Sequence, residues 1–207
     1  MRVRVYNLIA LVLVLFAAVI AIGASDNAAT SQEYQVKAAF LYNFIQFVDW
    51  PEEKLADKDD SIIICIIGND PFGTAFEPII HKQVKGKSVV IKRLESFEKL
   101  KNSAGNDKPE SGHGFEALKK CHLLFICSSE QKNLKEIIDV VKDQPILTVS
   151  EMNGFIEAGG IINWFVEEKK IRFEINLAAA KQAGLEIRSN LLRLAKRIIG
   201  ENAAKKK

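Results

Sequence analysis

Three cysteines are the residues of this sequence whose chemistry depends most on their surroundings: Cys65, Cys121 and Cys127. In an exported protein, thiols meet an oxidising compartment and disulfides are favoured. An odd number allows at most one bond within the chain. Cys121 and Cys127 flank one short apolar run, which separates their Cα atoms by more than the roughly 4.4 to 6.8 Å of a disulfide. We therefore expect a bond from Cys65 to one of the other two, with three unpaired buried thiols as the alternative.

Serine and histidine side chains give a weak indication of catalysis. Ser128 and Ser129 suggest a nucleophile, but no G-x-S-x-G motif surrounds them. Ser128 with Gln131 matches instead a capping box at the start of a helix. The histidines are scattered, without the paired spacing of a zinc site, and we interpret them as surface or strand-edge residues: His81, His113 and His122. The sequence therefore predicts no enzyme, no metal site and no cofactor.

Loops that follow predicted strands supply the candidate binding residues. Open α/β sheets bind ligands beyond the carboxyl ends of their strands. The candidates at such positions are Asn69, Asp70, Phe72, Ser128 and Glu151. The loop at 68–73 lacks the glycine spacing of a dinucleotide or phosphate loop. Asp70 followed by Pro71 also fits an N-cap and the first position of a helix, so a structural turn is the simpler interpretation of that loop.

Alternating apolar segments predict the elements that would position these residues. Continuous aliphatic runs are typical of strands buried on both faces, and they occur at Ser61–Ile67, Val89–Ile91, Leu123–Ile126 and Ile146–Val149. Helical patterns lie between them at Pro71–Ile80 and Gln131–Val141. Ile161–Val166 and Ile171–Ile175 are spaced for an antiparallel hairpin. We predict an α/β fold: a mostly parallel central sheet with helices on both faces and a C-terminal antiparallel hairpin.

Further helices are predicted near both ends of this region. Glu33–Val48 is a helix that Trp50-Pro51 ends. Its apolar residues cover more than one stripe, so it is either sandwiched within the fold, which we favour, or exposes a patch for a partner. Leu177–Ala183 is predicted as a helix stopped by Gly184. A last helix is predicted after Ser189, and its apolar face consists of Leu191, Leu192, Ala195, Ile198 and Ile199. Lys101–Gly114 is predicted to be an exposed loop.

The first residues indicate export. Arg2 and Arg4 precede an uncharged apolar run, Leu8–Ile22, and small residues follow it. This is the pattern of a signal peptide at 1–25, cleaved between Gly23 and Ser25, with the mature domain at 26–207. A retained anchor is the alternative, although the run is shorter than a spanning helix prefers. The mature chain would carry 27 basic and 26 acidic residues, a net charge of +1. These charges are interspersed, which argues against nucleic-acid binding.

Taken together, these segments resemble the YfiR family of periplasmic proteins. The resemblance lies in Val36–Phe44 with Trp50-Pro51, Cys65, Gly68–Gly73, Cys121–Ile126, Leu147–Ser150, Gly154-Phe155, Gly159-Gly160 and Ile171–Leu177. These segments span nearly the whole mature chain.

The resemblance implies a periplasmic α/β domain in which Cys65 is paired with Cys121. In the namesake system, such a protein represses a membrane diguanylate cyclase by binding its periplasmic domain, and an OmpA-like outer-membrane lipoprotein sequesters it. The namesake has a second disulfide that this sequence lacks, and Cys127 stands alone.

From the resemblance we expect a periplasmic regulatory binding protein. Its expected partner is the periplasmic domain of an inner-membrane signalling protein, with an OmpA-like lipoprotein as a further one. A small-ligand-binding protein and an uncharacterised hydrolase are the alternatives.

Overall fold

Ten short strands organise the fold in a computed structural model that describes residues 31–56, 60–103 and 115–200. They are β1 (Val48–Asp49), β2 (Ser61–Ile67), β3 (Gln83–Val84), β4 (Lys87–Leu94), β5 (Leu123–Ile126), β6 (Leu147–Ser150), β7 (Ile162–Glu167), β8 (Lys170–Asn176), β9 (Glu186–Ile187) and β10 (Arg197–Ile199). Eight form one sheet in the order β10-β8-β7-β6-β5-β2-β4-β3, and β1 pairs with β9 apart from it. The predicted signal peptide lies outside the described residues.

The centre of the sheet is parallel, as predicted. Strands β4, β2, β5, β6 and β7 run in one direction, whereas β7–β8 and β3–β4 are antiparallel pairs. Six of the seven residues of β2 are buried. Its alternate side chains enter two core clusters on opposite faces of the sheet. The aliphatic runs of the sequence therefore mark strands covered on both sides.

The C-terminal hairpin of β7 and β8 is also confirmed. Trp164 lies opposite Phe173 in its register. The two residues of its turn, Glu168 and Lys169, have φ of 50° and 60°. A two-residue turn of this type matches the twist of the flanking strands, although it requires left-handed backbone at both positions.

Helices cover both faces of the sheet. They are α1 (31–47), α2 (Glu52–Leu55), α3 (Phe97–Ser103), α4 (Glu116–Lys119), α5 (Leu134–Val141), α6 (Leu177–Gln182) and α7 (Ser189–Leu192). Residues of α1 and α6 belong to one core cluster, and residues of α4 and α5 belong to the other. Of the helices that the structure describes, none is long and apolar enough to cross a membrane.

Helix α1 packs into the domain along one of its apolar stripes. Leu41, Phe44 and Ile45 are fully buried, and the Phe44 ring contacts those of Trp164 and Phe173 on the hairpin. The helix ends at residue 47, one residue before the predicted end at Val48, because β1 begins there. The prediction that this helix belongs to the core is confirmed.

The helix predicted at Pro71–Ile80 is wrong. The segment consists of successive turns, in which the amide of Ala75 bonds to Phe72 and the amide of Ile79 bonds to Phe76, three residues earlier in each case. Gly73 has a φ of 52°, outside the helical region. Pro78 has no N–H to donate. Both features interrupt the regular ladder of an α-helix.

The helix predicted at Gln131–Val141 begins three residues later, at Leu134. Ser128 is therefore not its N-cap; it opens a short 3₁₀ turn, Ser128–Glu130, and its carbonyl accepts a bond from the amide of Gln131. The predicted loop from Lys101 is wrong at its start because α3 extends to Ser103. The rest of that loop lies outside the described residues.

The predicted last helix stops after one turn, and its second half is strand β10. Ile198 and Ile199 belong to opposite core clusters, which is the alternation of a strand and not the single face of a helix. Lys196 donates its amide to the carbonyl of Phe173, so pairing with the edge of β8 replaces the helical hydrogen bonds. The preceding helix ends as predicted at Gly184, whose φ is 69°.

Candidate functional site

The carboxyl ends of β2, β5 and β6 are neighbours in the sheet. Ile67 lies beside Ile126, and Ile126 lies beside Ser150. The loops that follow these strands carry all five candidate binding residues, so the parallel order brings them to one edge of the sheet, which we call the carboxyl edge. Ser128 and Glu151 line one cleft there.

The candidates on the first loop serve the loop itself. Asp70 accepts a hydrogen bond from the amide of Phe72 (2.7 Å) through one oxygen and one from Nε of Arg93 (2.6 Å) through the other. Phe72 is 4% exposed, and its ring contacts those of Tyr34, Phe76 and Phe125. Asn69 is exposed. Asp70 and Phe72 therefore stabilise the loop at the carboxyl edge through contacts within the fold.

Close packing fixes the first two loops against each other. The amide of Asn69 donates to Oγ of Ser129 at 2.9 Å. A Cβ at Gly68, where φ is 94°, would lie 2.4 Å from that same oxygen and 2.9 Å from Cγ of Glu130. Only glycine allows this approach. The hydroxyl of Ser129 is thus part of a structural contact and is not presented as a nucleophile.

A buried lysine ties α1 to the carboxyl edge. The side chain of Lys37 is 5% exposed and forms ion pairs with Glu33, one turn earlier, and with Glu151 after β6. The hydroxyl of Tyr34 donates to the other oxygen of Glu151 at 2.9 Å. The Lys37 ammonium also lies 4.4 Å from the centre of the Tyr34 ring. Two elements far apart in the chain are therefore joined by one network, which we call the Lys37 network.

Burial and the neighbouring acids shift two pKa values at this edge. The pKa of the Tyr34 phenol is raised, first by its burial and then by its hydrogen bond to Glu151. Burial, together with the charges of Asp70 and Glu151, raises the pKa of the Cys127 thiol to about 12. Both groups stay protonated at neutral pH, so neither is poised as a nucleophile.

An apolar groove continues from the cleft. The cleft has a volume of about 240 Å³, and Lys37, Ser128, Glu151 and Trp164 are among its lining residues. The groove has a volume of about 460 Å³ and is lined by Gln32, Glu33, Val36, Phe40, Val166, Lys169, Lys170 and Ile171. The two share Glu33, Val166 and Ile171. They form one depression between α1 and the hairpin tip.

Two apolar side chains that line the groove are exposed and lie outside the buried core. Val36 is 45% exposed and Val166 is 63% exposed, and they face the groove from α1 and from β7. The second apolar stripe of α1 is therefore left partly uncovered, in line with the alternative of an exposed patch. Contiguous apolar surface of this kind marks interaction sites.

The structure confirms the Cys65–Cys121 disulfide, with Cα atoms 5.8 Å apart. Both cysteines belong to the core cluster that contains α4 and α5, whereas Cys127 belongs to the cluster on the opposite face. The sheet therefore separates Cys65 from Cys127. The Cys127 thiol is free and buried.

The described histidines do not approach the serines. His122 precedes β5 and Ser128 follows it, so the strand separates the two residues. His122 is 4% exposed, and its Nδ1 accepts from the amide of Ile63 at 3.1 Å, so its interpretation as a surface or strand-edge residue is wrong. His81 is exposed near β3. Within the described ranges, no three His, Cys, Asp or Glu side chains form a metal-binding cluster.

A second ion pair secures the other end of α1. Nε and one Nη of the Arg188 guanidinium donate to the two carboxylate oxygens of Asp49, each at 2.7 Å, and Lys85 also pairs with this carboxylate. The hydrogen bond from Arg188 is the main reason that the pKa of Asp49 falls to about 2. Both ends of α1 are thus held, which keeps the groove in shape.

Sequence reasoning did not name as site residues Tyr34 of the Lys37 network or these side chains that line the depression: Lys37, Val36, Phe40, Val166 and Ile171. Two signals pointed to some of them. Glu33 and Lys37 have the spacing of a helical ion pair, and the double apolar stripe of α1 includes Val36 and Phe40. The position of the hairpin beside α1 had no sequence signal.

Comparisons with known proteins found partial likenesses among solved structures. A conserved domain protein from Vibrio cholerae O1 biovar El Tor is 11% identical with a TM-score of 0.44, over 71% of this chain and 57% of that one. An ABC domain from Streptococcus pneumoniae, solved in complex with L-Trp, is 9% identical with a TM-score of 0.46, over 67% of this chain and 55% of that one. This chain therefore spans less than three fifths of either protein.

A family model described as YfiR/HmsC-like matches residues 34–196. The match includes the disulfide, the candidate residues of the carboxyl edge, most of α1 and the whole hairpin. By this match, the chain belongs to the YfiR/HmsC-like family.

Proposed function

We propose that this chain is a periplasmic regulatory protein that represses a membrane-bound signalling enzyme, such as a diguanylate cyclase, by binding its periplasmic domain. Membership of the YfiR/HmsC-like family supports a regulatory role in the periplasm. The proposal includes export by a signal peptide cleaved between Gly23 and Ser25. An OmpA-like outer-membrane lipoprotein is a further proposed partner.

The observation that carries this proposal is the groove between α1 and the hairpin. Val36 and Val166 present exposed apolar surface from two elements that are held in place by buried contacts. Lys169 and Lys170 border it on one side. An apolar centre with a charged border is the usual composition of a protein–protein interface. Repression by such binding needs only a higher affinity for one state of the partner, and no turnover.

Site-specific photocrosslinking tests where the partner binds. A photoreactive phenylalanine analogue in place of Val166 should crosslink, in intact cells, to an inner-membrane protein with a periplasmic domain. The matched control is the same analogue at Ile80, which is also exposed but lies in the turns before β3, at the far end of the sheet. Equal crosslinking from both positions, or none from Val166, would contradict binding at the groove.

A second candidate function is the binding of a small ligand in the cleft. Trp164 lines the cleft and is 1% exposed, and its indole Nε1 is buried without a hydrogen-bond partner among the described residues. A ligand oxygen placed there would accept that bond, and Ser128 and Lys37 supply further donors. Fluorescence of Trp164 during titration with periplasmic extract fractions tests this, with Trp164→Phe as the comparison. The hydrolase alternative lacks support, because Ser129 is engaged by Asn69 and no described histidine is beside it.

A further inference from the structure

One segment of β8 has an open edge beside the groove. β10 pairs with β8 only from Glu174 to Asn176, and the amide of Lys196 bonds to the carbonyl of Phe173 just before that pairing. Backbone groups of alternate residues point to the same side of a strand. The N–H and C=O of Ile171 therefore point outward, in the same direction as those of Phe173, and in the described part of the chain no strand pairs with them.

The two faces of this edge differ in character. Phe173 packs against Phe40 and Phe44 of α1, with ring centres 6.1 and 5.2 Å apart. Ile171 lies two residues away and so faces the same side, where it lines the groove. By the same alternation Lys170 and Arg172 face the opposite side, and Lys170, the first residue of β8, also borders the groove at the hairpin tip. The side chains of a strand added at this edge would alternate between the two faces. Every second side chain would enter the apolar groove, and the others would lie against the basic side chains of the opposite face.

Charge around this edge favours an acidic partner. Over 167–174 and 193–197 there are six basic and three acidic residues: Lys169, Lys170, Arg172, Arg193, Lys196 and Arg197 against Glu167, Glu168 and Glu174. Two ion pairs, Lys196 with Glu167 and Arg197 with Glu174, use two of the basic and two of the acidic residues. The four remaining basic residues and Glu168 leave an excess of three positive charges in the region. Nε of Arg172 is buried without a hydrogen-bond acceptor among the described residues. An incoming carboxylate would supply that acceptor.

We propose that the partner contributes an extended segment in which apolar residues alternate with Asp or Glu, and that this segment adds to the open edge of β8 at 170–172. Its apolar side chains enter the groove beside Ile171 and Phe40, and its carboxylates face Lys170 and Arg172. Backbone hydrogen bonds with Ile171 set the register, as in other cases of strand addition. This inference rests on the proposed function, because it names the chemistry of the partner segment.

The probe is an acetylated and amidated peptide of seven residues in which glutamate alternates with valine. NMR of the mature, disulfide-bonded protein should show saturable shifts at the amides of residues 170–172 and slower exchange of the Ile171 amide. A peptide with lysine in place of glutamate should bind at least about tenfold more weakly, because its side chains meet like charges. Equal affinity for both peptides, or unchanged exchange at Ile171, would overturn the proposal.

Two further comparisons isolate the backbone contact. Ile171→Pro removes an outward N–H without removing a bond to β7, and it should weaken binding about five- to tenfold. Ile171→Val keeps the N–H and should bind as the wild type does. If Ile171→Pro does not fold, two N-methylated peptides replace it, one methylated on its odd residues and one on its even residues. Only one of these two sets of amides faces β8, so only one of the two peptides should lose affinity. Equal binding by both N-methylated peptides would refute strand addition.

Different experimental results would refute this inference and the proposed function. If Ile171→Pro leaves crosslinking from position 166 unchanged in cells, a partner binds the groove in another way and strand addition is wrong. If position 166 captures no membrane partner in the wild type, the proposed function itself is wrong.

Discussion

Removing the Lys37 ammonium should loosen α1 from the carboxyl edge, and the structure sets the size of this effect. Lys37 is 5% exposed at its side chain, whereas Glu151 is 19% and Glu33 is 41% exposed. Breaking a fully buried ion pair costs about 3–5 kcal/mol, and an exposed pair contributes up to about 1 kcal/mol. The partly exposed carboxylates place this case between these limits. We therefore expect Lys37→Met to lower the free energy of unfolding by about 2 kcal/mol.

Neutralising the acid should cost less than neutralising the lysine. In Glu151→Gln, Lys37 keeps its ion pair with Glu33, and the glutamine oxygen can still accept the bond from Tyr34. We expect a loss of about 1 kcal/mol. The double variant should lose less than the sum of the two single variants, because each already breaks the same ion pair.

Urea unfolding followed by circular dichroism measures these free energies. Lys99→Met is the matched control, because Lys99 and Glu95 have the same helical spacing but are 67% and 61% exposed. It should change the free energy of unfolding by less than about 0.5 kcal/mol. The reasoning is refuted if Lys37→Met is no more destabilising than Lys99→Met, or if the double variant loses the full sum.

Three further predictions concern the rest of the fold. Reducing the Cys65–Cys121 bond, which spans a sequence separation of 56, should lower the free energy of unfolding by about 4 kcal/mol in urea melts, and a loss below about 1 kcal/mol would contradict this. Native Cys127 should resist alkylation at neutral pH, because it is buried and its pKa is about 12, and mass spectrometry should find it modified only in concentrated urea. Asp49→Asn should lower stability by about 1 kcal/mol at neutral pH, a figure reduced for solvent screening. Because the folded pKa of Asp49 lies below its usual 3.8, this stabilisation is present above about pH 4 and is lost as the pH falls through 2, so melts of the two proteins should converge there.

The fold was predictable from the sequence where one interaction dominates. The run Ile62–Ile67 is apolar throughout, and only a strand covered on both faces buries it. The hairpin follows from two apolar runs separated by a short polar turn. The predicted helices failed where local backbone chemistry or pairing at the sheet edge decided the outcome. Gly73 and Pro78 break the segment at 71–80, and the open edge of β8 recruits residues 197–199 as a strand.

The candidate site was predictable in position but not in composition. Parallel strands place their following loops at one edge, so Ser128 and Glu151 could be named without coordinates. Lys37 could not, because its pairing with Glu151 joins residues 114 positions apart. The groove depends on the approach of α1 to the hairpin, which is a tertiary arrangement without a local sequence pattern. The residues alone left open whether Cys121 or Cys127 pairs with Cys65, and the family resemblance implied Cys121. The structure confirms that pairing and gives its reason, because Cys121 lies on the same face of the sheet as Cys65.

Cyclic di-GMP in a deletion strain tests the central claim most directly, with the chain restored as the wild type, as Val166→Glu or as Ile80→Glu. The account predicts that the deletion raises cyclic di-GMP, and that the wild type and Ile80→Glu return it to the starting level. Val166→Glu, which places a charge in the groove at a position 63% exposed and so leaves the fold intact, should not. An unchanged level after deletion, or full restoration by Val166→Glu at equal periplasmic abundance, would contradict repression of a diguanylate cyclase through this groove.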